Sequence, residues 1–288
     1  MKSLQNKLRE CSLRECSLCE YKLYEGFYKN AGGMVRPSTK KELHEEIKIR
    51  LDRGQYNLND IDTSKITDMS YLFHDSGYDM SKIDISKWDV HNVKDMSYMF
   101  LLCESFNCDL SGWDVRNVQD MTSMFCNCNV FNSDLSKWNT SKVESMDSMF
   151  NGCKNFNSDL SKWNTSTVED MSHMFSNCSS FNSDLSRWNV SKVDDMSYMF
   201  FSCKNFNCDL SKWNVSSVED MGCMFYNCPK FNSDLSRWNV SNVMNMSNMF
   251  DGCTSFNCDL SGWDTSSAVY MDDMLKDTDI DEKPEWYY

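Results

Sequence analysis

Three prolines, ten glycines and four histidines among 288 residues leave several common designs without their material. Scarce glycine argues against Gly-rich calcium-binding repeats and against phosphate-cradling loops. No G-x-S-x-G, P-loop, G-x-G-x-x-G or H-E-x-x-H stretch occurs, and His44, His74, His91 and His173 do not cluster along the chain. The expectation is a protein that is not an enzyme and needs no cofactor. Basic charge is also short, with 29 Lys and Arg against 43 Asp and Glu, for a net charge of −14. A nucleic-acid binder needs a basic stripe with interleaved aromatics, so no nucleic-acid partner is expected. No apolar run reaches the roughly 18 residues of a membrane-spanning helix, so no membrane insertion is expected. Met1 to Asn30 is rich in Glu and Lys and lacks the apolar core of a secretory signal. A cytoplasmic location follows as the expectation, with the cell surface as the alternative.

What the chain has in abundance is repetition. Trp88, Trp113, Trp138, Trp163, Trp188, Trp213, Trp238 and Trp263 stand 25 residues apart. A period of this size marks a repeat architecture whose units bury a core only by stacking. One copy offers Cys103, Phe106, Leu110, Trp113, Val115, Val118, Met121, Met124 and Phe125 as apolar columns, each predicting a ladder of like residues. Val143, Met146, Phe150 and Cys153 follow the period of one helical face. Ser141–Glu144, Ser166–Glu169 and Ser216–Glu219 read as capping boxes before that face. Phe156 to Thr165 has no helical period and reads as extended, with Asn, Asp and Ser marking turns. The predicted fold is a repeat solenoid of 25-residue coils, each an extended strand plus a short helical or 3₁₀ turn. Strands stack about 4.8 Å apart and helices about 10 Å, which predicts an arc with the strand face concave.

The unit x-x-C-x-x-F-N-x-D-L-S-x-W-[ND]-[VT]-S-x-V-x-[DE]-M-x-x-M-F resembles the repeat of the BspA-like leucine-rich-repeat surface proteins, and more narrowly their Mycoplasma-type subfamily of unknown function. The match runs over roughly residues 60–275. The resemblance implies leucine-rich-repeat-like coils, binding roles and no catalytic residues.

Four segments are expected. Residues 1–36 form a leader of uncertain structure. Within it Cys11, Cys16 and Cys19 could be read as a zinc site, but no fourth ligand is evident. Residues 37–65 hold a capping helix and a linker: Thr39 and Glu42 suggest a capping box, Leu43, Ile47 and Leu51 share a face, and Gly54 is a stop. Residues 66–275 hold the repeats. The first interval, Phe73 to Phe100, is two residues too long, which predicts a bulge between His74 and Met80. Residues 276–288 form an acidic tail whose Trp286 is expected to dock on the last coil.

Several columns look chemical. Cys128, Cys153, Cys178 and their equivalents lie on the apolar face, so a reduced structural ladder is expected rather than disulfides. Asp134, Asp159, Asp184 and their equivalents are expected to bond turn amides rather than a metal row. Asn132, Asn157 and their equivalents are expected to form an amide ladder. Asn139, Asn164, Asn189, Asn214 and Asn239 sit in N-x-S/T and read as by-products of the repeat.

Ladder columns hold the fold, so specificity should lie where columns vary. Tyr198, Phe201 and Tyr226 belong to neighbouring coils and make one candidate aromatic patch, with Tyr98 and Leu101 as a smaller one. The expected function is a non-enzymatic protein–protein interaction module with a protein partner of unknown identity, either monomeric or associating end to end. The alternatives are an adhesin-like or structural surface protein and, more remotely, a metal-binding repeat protein.

Overall fold

A computed structural model describes residues 34–287; Cys11, Cys16 and Cys19 lie outside them. Helix α1 spans Lys40–Asp52. Thr39 is its N-cap and accepts from the Glu42 N–H at 3.2 Å, while the Glu42 carboxylate reaches back to the Ser38 N–H at 2.7 Å. Leu43, Ile47 and Leu51 are buried. They join the same core as the coils. Past the helix, Gly54 adopts φ +72°, the left-handed stop that glycine makes without strain. Lys40 Nζ bonds Asp68 Oδ1 at 3.0 Å and also the Ser70 hydroxyl, which seats α1 over the first coil. That coil starts before Ile66. Asn57 pairs with Asp84 as a parallel bridge, and the Leu58 carbonyl accepts the Trp88 indole N–H at 3.0 Å.

From there the 25-residue coils stack, and they contain neither of the predicted elements. The half read as helical is a run of tight turns. Met149, Asn151 and Cys153 donate to the carbonyls of Met146, Ser148 and Phe150 at 2.9–3.2 Å. The intervening N–H groups of Met146, Ser148, Phe150 and Gly152 donate instead to Asp170, Ser172, Met174 and Ser176 of the next coil at 2.8–3.1 Å. Alternate amides therefore point out of the coil, which requires left-handed residues at Ser148 (φ +55°) and Gly152 (φ +76°). A helix would consume those amides internally. The spacing also forbids one: Phe125 and Phe150 stack 5.7 Å apart, whereas neighbouring helices need about 8–10 Å. The Ser-x-x-Glu pairs therefore cap no helix. The left-handed residues also prevent a continuous strand, leaving one isolated parallel bridge per coil, Ser145↔Asp170↔Asp195 being typical.

The half read as extended is held by side chains. Asn132 Oδ1 accepts the Asn157 N–H at 2.8 Å, so the asparagines bond backbone, not each other. Ser183 Oγ accepts from Leu160 N at 3.1 Å, and Thr140 Oγ1 donates to the Asn164 carbonyl at 2.9 Å. Cys208 serves in place of Ser, its sulfur accepting from Leu185 N at 3.1 Å. Direct backbone bonding thus falls on the half opposite to the one expected, which removes the basis for a concave face on Phe156–Thr165. Three Asx turns bend each coil: Ser136 N to Asp134 Oδ1 at 2.9 Å, Ser141 N to Asn139 Oδ1 at 3.1 Å, and Ser172 N to Asp170 Oδ1 at 2.8 Å. The N-x-S/T pattern is one of these turns. The Ser136 side chain, with its backbone N–H, holds the Asp134 carboxyl below its usual range.

The core is a set of ladders. Phe125 and Phe131 meet face to face at 4.0 Å. Trp138 and Trp163 stack at 6.2 Å, and the Trp163 indole N–H donates to the Leu135 carbonyl at 3.0 Å. The Cys153 thiol donates to the Phe125 carbonyl at 3.0 Å. That carbonyl also accepts Cys128 N, so the thiol takes its second lone pair. All cysteines among the described residues are free, and burial pushes the Cys103 thiol up to about 12. The long first interval holds a 3₁₀ turn, Met80–Lys82, with Met80 buried in the core. At the other end Trp286 stacks on Trp263 at 6.4 Å, and its indole donates to the Leu260 carbonyl at 3.1 Å, extending the tryptophan ladder by one rung.

Candidate functional site

Where the backbone bonds one coil to the next, side chains are released from that task. Two of the columns that vary among coils, those of Ser148 and Asn151, lie on this half. The left-handed position itself is occupied by Tyr98 (φ +58°), His173 (φ +54°), Tyr198 (φ +57°) and Cys223 (φ +55°). Side chains there project from the turn and stack along the coil axis. His173 lies on Tyr198 with centroids 4.6 Å apart and planes 7° from parallel. Tyr198 meets Phe201 at 5.6 Å, and Phe201 stacks on Tyr226 at 4.9 Å. The four rings form one stripe over three coils. Tyr198 is exposed, and the other three are half-buried. A hydrogen bond with the Cys223 thiol raises the Tyr198 phenol above its ordinary value. On the next rung after Tyr226, Asp251 is buried and paired with Lys276 at 3.2 Å.

Tyr98 and Leu101 do not join this stripe: Tyr98 lies 100 residues, four coils, before Tyr198. Tyr98 instead stacks on Tyr71 at 4.6 Å. Tyr71 is 49% exposed and meets His74 edge-on at 5.7 Å. Beside them a shallow cleft is lined by Lys40, Lys41, His44, Glu45 and Ser70. Leu101 is half-buried. Two residues of these patches escape the sequence pattern. Tyr71 precedes Tyr98 by 27 residues, outside the 25-residue register. His173 carries no signal in the sequence, because nothing there says that it will lie flat on the Tyr198 ring.

The acidic rows flank the stripe. Glu144, Glu169, Asp194 and Glu219 are exposed. Asp170, Asp195 and Asp220 occupy the bridge column and accept the N–H two residues on at 2.7–2.8 Å. Asp147 takes the place of Ser172 and Ser197 in its column and accepts from Ser148 Oγ at 2.8 Å and Ser172 Oγ at 3.2 Å; burial pushes its carboxyl up. Among the described residues no group of three or more His, Cys, Asp and Glu side chains is placed to hold a metal ion. Nor, among them, is any helix long and apolar enough to cross a membrane.

The family described as Mycoplasma protein of unknown function, DUF285, matches residues 45–147, 127–228 and 209–284. The chain belongs to this family, as three successive copies of its unit. No curated protein and no solved structure matches it.

Proposed function

We propose that this member of a tandem-repeat family is a non-enzymatic interaction module, a leucine-rich-repeat-like solenoid of the BspA-like kind that engages another protein. The observation that carries the reading is the stripe of His173, Tyr198, Phe201 and Tyr226 in two columns that vary while the core columns repeat. Stacked aromatics on a polar rod are interface anchors: they bring large contact area at small entropic cost. Tyr98 with Tyr71 supplies a second, smaller contact. The test is capture of a protein partner by the chain and by a Tyr198→Ser, Phe201→Ser, Tyr226→Ser variant of unchanged thermal stability. Loss of capture supports the reading; equal capture removes it.

A cytoplasmic location accords with the free, buried thiol column, which donates hydrogen bonds only in its reduced form. The resemblance to surface proteins favours an adhesin-like role instead. Protease treatment of intact source cells separates the two: a protected chain supports the first, and digestion while cytosolic markers survive supports the second.

A further inference from the structure

Two columns of the turn half become apolar toward the carboxyl-terminal end of the stack. The column of Glu144, Glu169, Asp194 and Glu219 continues as Met244 and Val269, and the bridge column of Asp170, Asp195 and Asp220 ends in Tyr270. Met244 is 46% exposed, Val269 69% and Tyr270 58%. Together they form an apolar corner at the carboxyl-terminal pole of the stack.

The backbone is also unfinished there. Toward the preceding coil Tyr270 is paired: its N–H donates to the Met244 carbonyl at 3.2 Å, and its carbonyl accepts Met246 N at 2.8 Å. In earlier coils the outward groups are used as well, the Glu144 carbonyl accepting Glu169 N and Met146 N donating to Asp170. Their equivalents in the last coil, the Val269 carbonyl and the Met271 N–H, have no partner among the described residues. The tail does not reach them. It covers Leu275 N through the Tyr287 hydroxyl at 3.4 Å and Trp263 through Trp286.

We propose that this edge pairs with the same edge of a second copy, antiparallel about a two-fold axis at Tyr270. An acceptor one residue before Tyr270 and a donor one residue after it are self-complementary: each Met271 N–H meets the Val269 carbonyl of the second copy. The pairing continues the bridge ladder that runs from Asp68 to Tyr270 and covers Val269, Tyr270 and Met244. At the other pole α1 lies over the first coil, and a two-fold contact uses the same edge of both copies. The product is a closed dimer and not a filament. Each chain carries −14, and Asp272 and Asp273 sit beside the edge. Charge therefore opposes the contact, and salt strengthens it by screening.

Sedimentation equilibrium of the full chain, from micromolar to several hundred micromolar, tests this at low and high sodium chloride. The expected result is a monomer–dimer equilibrium whose dimer fraction rises with salt. The Val269→Glu, Tyr270→Asp variant installs the pair that Glu169–Asp170 and Glu219–Asp220 already hold, so the fold accommodates it, and an unchanged melting temperature checks this. It should weaken dimerisation at least tenfold. A monomer at every concentration, species larger than a dimer, dimerisation weakened by salt, or a variant that dimerises like the wild type would each overturn the proposal.

Discussion

The two halves of each coil are joined to the next by different means, and the difference decides which residues can change. On the turn half, Phe150 N donates to the Met174 carbonyl at 2.9 Å, and the side chain at Ser148 plays no part in that ladder. The same position accepts Tyr198, His173 and Cys223. On the other half the joint is made by Asn132, Ser183 and Trp163 themselves, and those columns repeat or change only from Ser to Cys, which takes the same bond; the Thr140 bond is an addition, absent where Val115 or Val190 fills its column. Backbone bonding frees a surface for recognition; side-chain bonding spends the surface on the fold.

Trp163→Ala should cause the largest loss, about 3–5 kcal/mol, because it opens a cavity in the ladder and leaves the Leu135 carbonyl without its donor. Urea denaturation measures it, and a loss under about 0.5 kcal/mol would mean that the tryptophan face holds nothing together. Asn132→Ala should cost about 1 kcal/mol by stranding the Asn157 N–H. A neutral result there would break the distinction between the halves. The Asp134, Asp159 and Asp209 carboxyls are held low by their Ser hydroxyls and amides. Their contribution is therefore complete above the ordinary value of 3.8 and is lost as pH falls through the lowered values. Thermal melts across the acid range should show stability falling below about pH 4. On the turn half Tyr198→Ser, which installs the residue of Ser123 and Ser148, should change stability by under about 0.5 kcal/mol. Asp147→Ser should raise the melting temperature slightly at pH 7, since burial raises that carboxyl and penalises its charged form. The gain should vanish as acid protonates the wild-type Asp147.

The core was legible because its signal is a period. The Phe, Trp, Leu and Cys columns follow from register alone, and so do the Asp columns once D-x-S is recognised as a turn. Trp286 and the α1 cap were legible from local chemistry, an aromatic in an acidic tail and a Thr-x-x-Glu pair. The helical reading of Val143, Met146, Phe150 and Cys153 failed for a physical reason. A run of turns whose alternate amides point outward repeats apolar residues at much the same spacing, and sequence spacing cannot distinguish the two. At the candidate site Tyr198, Phe201 and Tyr226 were visible as a break in repetition. Met244, Val269 and Tyr270 carry the same signal, an acidic row turning apolar, but their exposure at the end of the stack is a property of the fold.

By itself the sequence determined the repeat length, the identity of every core ladder and the turns that close each coil, since these depend on spacing and on bonds reaching two or three residues. Only the tertiary structure decided which half carries the backbone ladder, that Cys153 meets a carbonyl and not another thiol, and that His173 lies flat on Tyr198. Those depend on how far one coil sits from the next, a distance fixed by all the stacked side chains together.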